Sequence, residues 1–214
     1  MRKGAVLRSF PVLAIAALTA CAPWRSDIEL TPGVAASPVL EVQGWQSTPR
    51  RPGVRQISFG PWTAEQRPGR EAGWYMTVRH DFVETGSAWC WSDFGSGGPR
   101  RKGRWQERPQ EVFSCQLVLA AGPDTLGLEV KSDAGRPFTG RARSDDWDIA
   151  LRGTDRLRTR SCLLMSTCGW YLTLDASDVA AVEADVHAWV YLSPNLGTEG
   201  RDLMALIAAA LLLR

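Results

Sequence analysis

The end of the chain limits its fold more than any other stretch. Leu203 to Leu213 reads Leu-Met-Ala-Leu-Ile-Ala-Ala-Ala-Leu-Leu-Leu, eleven consecutive apolar residues. Almost all are strong helix formers, so a helix over about 199–213 is expected. Thr198 suits its N-cap, and Glu199 and Asp202 suit its first turn, where negative charge complements the helix dipole. At about 1.5 Å per residue the run is roughly 16 Å long, half the hydrocarbon core of a bilayer, and too short to cross one. A helix that is apolar on every side has to be buried on every side. Packing on one face of a flat sheet would leave half of it wet. The rest of the chain must therefore curve around it.

The preceding residues have the pattern for that. Trp74, Met76 and Val78 alternate with Tyr75, Thr77 and Arg79; Leu126, Leu128 and Val130 alternate with Gly127, Glu129 and Lys131. Trp147, Ile149 and Leu151 form another period-two row, as do Trp170, Leu172 and Leu174, and Phe113, Cys115, Leu117 and Leu119. The longest run, read as one strand, sets Val182, Ala184, Val186, Ala188, Val190 and Leu192 inward and Glu183, Asp185, His187, Trp189 and Tyr191 outward. Turn clusters separate the runs at 67–69, 95–99, 121–124 and 133–135. Short alternating segments without intervening helices indicate a mainly β fold, an antiparallel barrel or curved sandwich with a buried hydrophobic C-terminal helix. Gly73 to Val78 and Gly169 to Leu174 also echo each other, as do Ala88-Trp89 and Ala188-Trp189. A duplicated half-barrel would produce that echo, and so would the common taste of aromatic, β-branched strands for entering from a glycine turn.

The beginning of the chain is of a different kind. Arg2, Lys3 and Arg8 precede an uncharged apolar stretch from Val12 to Leu18, which ends in Leu18-Thr19-Ala20-Cys21. These residues resemble the signal of bacterial lipoproteins, with Leu18 to Cys21 matching its lipobox position by position. The resemblance implies cleavage after residue 20, a diacylglycerol on the Cys21 sulfur and an acylated new amino terminus. A lipid anchor of several chains holds far more firmly than one, since each buried methylene adds on the order of 0.8 kcal/mol. Ala22 stands where an inner-membrane retention signal would place Asp, so the implied address is the bacterial envelope and its outer membrane. Residues 1–20 are thus read as signal, 21–38 as a Pro-rich tether, and 39–214 as a single β-rich domain. Removing the three basic residues of the signal from 25 leaves 22 against 23 acidic ones, a net charge of −1 for the mature chain. That balance does not suit nucleic acid.

Many strands followed by a terminal helix apolar on every face, here residues 203–213, resemble the tubby, phospholipid-scramblase and LURP-one-related barrels. In those, a twelve-stranded barrel encloses a hydrophobic C-terminal helix. The resemblance implies a filled interior, with lipid head groups or proteins bound on the outside.

The remaining chemistry is sparse. With Cys21 lipidated, four cysteines are left, and in an exported chain an even number reads as disulfides. The expected pairs are Cys90–Cys115, across neighbouring strands, and Cys162–Cys168, closing a small loop. No Cys-x-x-Cys and no paired histidines point to a metal, and no cofactor is called for. His80 and His187 are the two histidines. No Gly-x-Ser-x-Gly elbow accompanies them, and pairs such as Asp145 with Asp146 or Asp124 with Glu129 are ordinary rim carboxylates. No catalytic residue is assigned. Arg100, Arg101, Lys102 and Arg104 form the densest basic cluster and read as a solvated hairpin tip. Ten tryptophans are many for this length. Trp89 with Trp91, and Trp189 with Tyr191, share strand faces and are the candidate aromatic platforms for an envelope protein, lipid or glycan. The expectation is a lipid-anchored, non-catalytic binding or structural protein. A carrier of acyl chains in an apolar cavity is the alternative, and a hydrolase the remote one.

Overall fold

The computed structural model describes residues 28–44, 53–69, 73–94, 111–122, 124–132, 137–155, 167–184 and 187–214. Twelve strands precede one helix: β1 (Val39–Glu41), β2 (Arg55–Phe59), β3 (Trp62–Pro68), β4 (Gly73–His80), β5 (Val83–Phe94), β6 (Glu111–Leu119), β7 (Thr125–Ser132), β8 (Thr139–Arg143), β9 (Asp148–Thr154), β10 (Gly169–Leu174), β11 (Ser177–Ala184), β12 (Ala188–Leu192) and α1 (Thr198–Leu213). The sheet order runs β1-β12-β11-β10-β9-β8-β7-β6-β5-β4-β3-β2. From β2 to β12 this is an uninterrupted antiparallel meander, and β1 pairs antiparallel with β12. The two ends of the sheet then meet. Gln43, just past β1, and Ser58 of β2 exchange both backbone hydrogen bonds, at 2.8 and 3.1 Å. The result is a nearly closed twelve-stranded barrel.

α1 lies inside it. Residues Leu203 to Leu213 are each at most 1 % exposed, and they form one core with the inward rows of the strands. Those rows are the period-two sets of the sequence: Met76 and Val78, Phe113, Cys115 and Leu117, Leu126, Leu128 and Val130, Ile149 and Leu151, Val182, Val190 and Leu192 are all buried. Contacts reach the helix from opposite sides of the ring. Leu206 packs over Gly86 of β5, where a Cβ would come within 2.9 Å of its Cδ2 and 3.0 Å of the Val118 carbonyl oxygen. Across the ring, Arg214 reaches the rings of Phe138 and Trp170. The outward rows carry Glu65, Arg67, Glu129, Lys131, Arg141, Asp148 and Arg152. Apolar inside and charged outside is the reverse of a barrel that spans a membrane. Among the described residues no helix is long and apolar enough to cross one.

Three local readings need correction. Gly197, not Thr198, occupies the N-cap, with no side-chain cap bond, and Asp202 lies beyond the first turn. The run from Val182 to Leu192 is two strands folded back on each other, with Val182 opposite Val190 and Ala184 opposite Ala188. The alternation hid the turn because both arms keep the same parity. Third, the tether expected over 21–38 is not free along its whole length: Ile28 and Val34 are buried against the outer face of β10–β12. Residues 21–27 lie outside the described part.

The echo between Gly73–Val78 and Gly169–Leu174 corresponds to β4 and β10, six strands apart in a ring of twelve. Both enter at a glycine and turn their tryptophan inward. The second half of the echo does not follow. Trp89 lies on β5, beside β4, whereas Trp189 lies on β12, two strands from β10. What β4 and β10 do share is the turn that follows. Asp81-Phe82 and Asp175-Ala176 are two-residue hairpins with positive φ at both positions, 47° and 71°, and 50° and 61°. That requirement usually selects Asn-Gly. Phe82 carries a bulky ring in this conformation and is 96 % exposed, so no packing offsets its strain. Phe82→Gly is expected to stabilise the domain by about 1 kcal/mol, the lower end of such strain costs. It would be read as a higher urea midpoint at unchanged slope. A lower midpoint would show that Phe82 is unstrained.

Candidate functional site

At the mouth where α1 begins, the chain brings three distant residues together. Trp62 opens β3 and His80 closes β4, and they face each other across the ladder. Their rings lie 4.8 Å apart. Asp202, the polar residue immediately before the apolar run, enters between them from α1. Its Oδ1 accepts from Trp62 Nε1 at 2.8 Å and lies 3.0 Å from His80 Nδ1. His80 Nε2 is 3.9 Å from Asp81 Oδ2. A carboxylate orienting an imidazole is half of a hydrolytic triad. The other half is a nucleophile; among the described residues His80 has the carboxylates of Asp202 and Asp81 as its polar contacts. The three side chains form a polar clasp, in which Asp202 gives the indole N–H and the imidazole a partner at the entrance to an apolar interior. His187 sits elsewhere, exposed in the β11–β12 connection.

At the opposite mouth, where α1 ends, the last carbonyls need donors. Gln66 Nε2 donates to the Leu213 carbonyl at 2.9 Å and Arg55 Nη1 at 3.4 Å. The Arg214 guanidinium lies 4.1 Å from the Phe138 ring centroid and 5.2 Å from that of Trp170. Burial pushes its pKa down, countered in part by the Glu111 carboxylate. On the outer face, the Arg141 and then the Arg143 guanidinium beside Asp148 hold its carboxyl at about 2, well below the usual carboxylate range.

The two aromatic platforms expected from the sequence have different fates. Trp189 and Tyr191 are buried, at 9 % and 0 % exposure, because residues from Ile28 to Val34 cross over them. Tyr171 Oη donates to the Glu29 carbonyl at 2.7 Å, and the Ile28 amide to buried Glu183 at 3.3 Å. This platform is occupied by the chain itself. Trp89 and Trp91 stay on the open exterior, both half-buried. Trp89 lies over two glycines; a Cβ at Gly69 or Gly73 would come within 2.1 or 2.6 Å of its ring. Tyr75, opposite Trp89 on β4, is 55 % exposed with its ring 4.5 Å away. Arg67 flanks Tyr75 on β3 and Gln116 flanks Trp89 on β6. The open strip is therefore Arg67, Tyr75, Trp89 and Gln116, with Trp91 one step nearer the mouth. Sequence reasoning found the tryptophans and missed Tyr75, although its place in the outward row of β4 was a usable signal.

Cys90 and Cys115 are joined in a disulfide, cross-strand neighbours on the inner face of β5 and β6. Cys168 is also disulfide-bonded, while Cys162, its expected partner, lies outside the described residues. So do Cys21 and the basic cluster Arg100, Arg101, Lys102 and Arg104. Among the described residues no group of three or more His, Cys, Asp or Glu is placed to hold a metal. Comparisons with protein-family models, with curated proteins and with solved structures return no match. Fold and site thus define a class by architecture alone: a helix-filled antiparallel barrel with a polar clasp at one mouth and an open aromatic strip near the other.

The clasp gives a direct test. Asp202→Ala leaves the Trp62 indole N–H without its partner and should cost about 2 kcal/mol, within the range for an orphaned buried donor. Asp202→Asn keeps an acceptor and should retain most of that stability. Urea unfolding of both variants measures the difference. Equal stability of wild type and Asp202→Ala would remove the clasp from the account.

Proposed function

We propose that the chain is a lipid-anchored protein of the bacterial envelope with a non-catalytic binding or structural role, working through the outside of its barrel. The observation that carries this reading is the filling of the interior. A carrier needs an apolar cavity of ligand size, and here that volume holds Leu203 to Leu213. The filled interior argues against acyl chains as cargo and leaves exterior surfaces for any partner, whether protein, lipid or glycan. His80 is clasped by the Asp202 and Asp81 carboxylates at the start of α1, a contact that a role in holding the helix accounts for. The likeness to tubby, scramblase and LURP-one-related barrels rests on strand number and the central helix, and it favours the same exterior mode of binding.

Membrane residence in this proposal comes from Cys21. Grown with an alkyne palmitate analogue, cells should yield a labelled protein that pellets with membranes and resists salt extraction. Cys21→Ser should lose the label and leave the membrane fraction. A Cys21→Ser chain that is still labelled and still membrane-bound would refute the anchor.

A further inference from the structure

The packed amino-terminal segment shortens the leash between lipid and barrel. Only residues 22–27 separate Cys21 from Ile28, which is fixed against Gly169 and Glu183; a Cβ on Gly169 would come within 2.7 Å of Ile28 Cδ1. Seven Cα steps span at most about 25 Å even when fully extended. The place where Ile28 is fixed also has a direction. Gly169 begins β10 and Glu183 nearly ends β11, and neighbouring Trp170 lies against Arg214 at the end of α1. Ile28 is therefore held at the mouth where α1 ends. From there the chain runs over the barrel towards the other mouth, where Gly33 abuts the Asp178 backbone near the start of β11.

The open aromatic strip lies at this same mouth. Gly73, which begins β4, stands opposite Trp91, and Tyr75, two residues further in, stands opposite Trp89. Gln66, on the β3 side of this mouth, caps the end of α1. Tyrosine, tryptophan and arginine with their polar ends outward are the side chains that settle at the boundary between lipid and water. On a leash this short, the point where Ile28 is held stays within about 25 Å of the lipidated residue.

Resting on the lipidation of Cys21, we propose that the barrel sits on the bilayer with the mouth at the end of α1 facing it, and that Tyr75, Trp89 and Trp91 contact the headgroup region of that same membrane. The short leash supplies proximity, and the aromatic strip fixes which side is turned to the lipid. The clasp mouth, with Phe82 exposed at its rim, then points away from the membrane.

Hydroxyl-radical footprinting read by mass spectrometry resolves each aromatic residue separately. The lipidated full-length mature protein would be placed in vesicles of phosphatidylethanolamine and phosphatidylglycerol, and compared with the unlipidated Cys21→Ser chain in solution. Oxidation of Tyr75 and Trp91 is expected to fall at least about threefold on vesicles, as for side chains moved from water into the interfacial zone. Oxidation of Phe82 should stay unchanged. If Cys21→Ser fails to fold, the Tyr75-to-Phe82 ratio within the vesicle-bound protein still reads the orientation, set against the 55 % and 96 % exposures of the two residues. Unchanged oxidation of Tyr75 and Trp91 in a protein shown by intact mass to carry lipid would overturn the orientation, leave the anchor standing, and return the strip to a glycan or protein ligand. A protein with no lipid on Cys21 would overturn the anchor itself, and the orientation with it.

Discussion

The structure depends on one constraint, the burial of a helix that has no polar face. Each leucine of α1 fully removed from water contributes about 1.5–3 kcal/mol, but only if a wall stands on every side. A nearly closed antiparallel meander meets that demand. Its inward rows supply the wall, and the bridge between Gln43 and Ser58 brings the two ends of the sheet together. The two ends of the helix are then the places where polar groups must be reconciled with an apolar interior. At the start, Asp202 faces Trp62 and His80; at the end, Arg55 and Gln66 serve the Leu213 carbonyl. The helix also fills the interior, which is why the proposed role is placed on the outside of the barrel.

That outside is not uniform. Along β10–β12 the chain covers itself with residues from Ile28 onward, which explains why Glu183, Trp189 and Tyr191 are buried although they belong to an outward row. Along β7–β9 the exterior is a charged lattice in which Asp148 sits between Arg141 and Arg143. Exposed pairs of this kind add little stability, but they keep the surface wet. Among the described residues, β4 and β5 carry an exposed aromatic group, Tyr75 beside Trp89, which rests on Gly69 and Gly73. The proposed membrane contact follows from this contrast and from the short leash.

Much of this was legible in the sequence, for reasons that differ by residue. The inward rows were readable because period-two alternation is the direct imprint of a half-buried strand, and Leu203 to Leu213 because no amphipathic alternative exists for it. Cys90–Cys115 was readable because two inward cysteines on consecutive strands face each other. The fold-back within Val182–Leu192 was not, since parity is conserved through the turn. The cover provided by Ile28 and Val34 was not either: two apolar residues in a Pro- and Gly-containing stretch have no periodicity to report. The clasp joins Asp202 to Trp62 and His80, each more than a hundred positions from it, and nothing local to Asp202 announces the other two. Asp81-Phe82 was hidden for the opposite reason, since its residues contradict the turn they form.

The central claim is that α1 is enclosed and cannot leave unless the barrel opens. Native-state hydrogen exchange tests it most directly, because amides that are freed only by global unfolding share one free energy and one denaturant slope. The amides from Leu206 to Leu213 should exchange with the same free energy and slope as those in the middle of β5, β6 and β7. Exchange of the helix amides at a distinctly lower free energy, with the strands still protected, would mean that the helix detaches from an intact sheet, and would contradict the account.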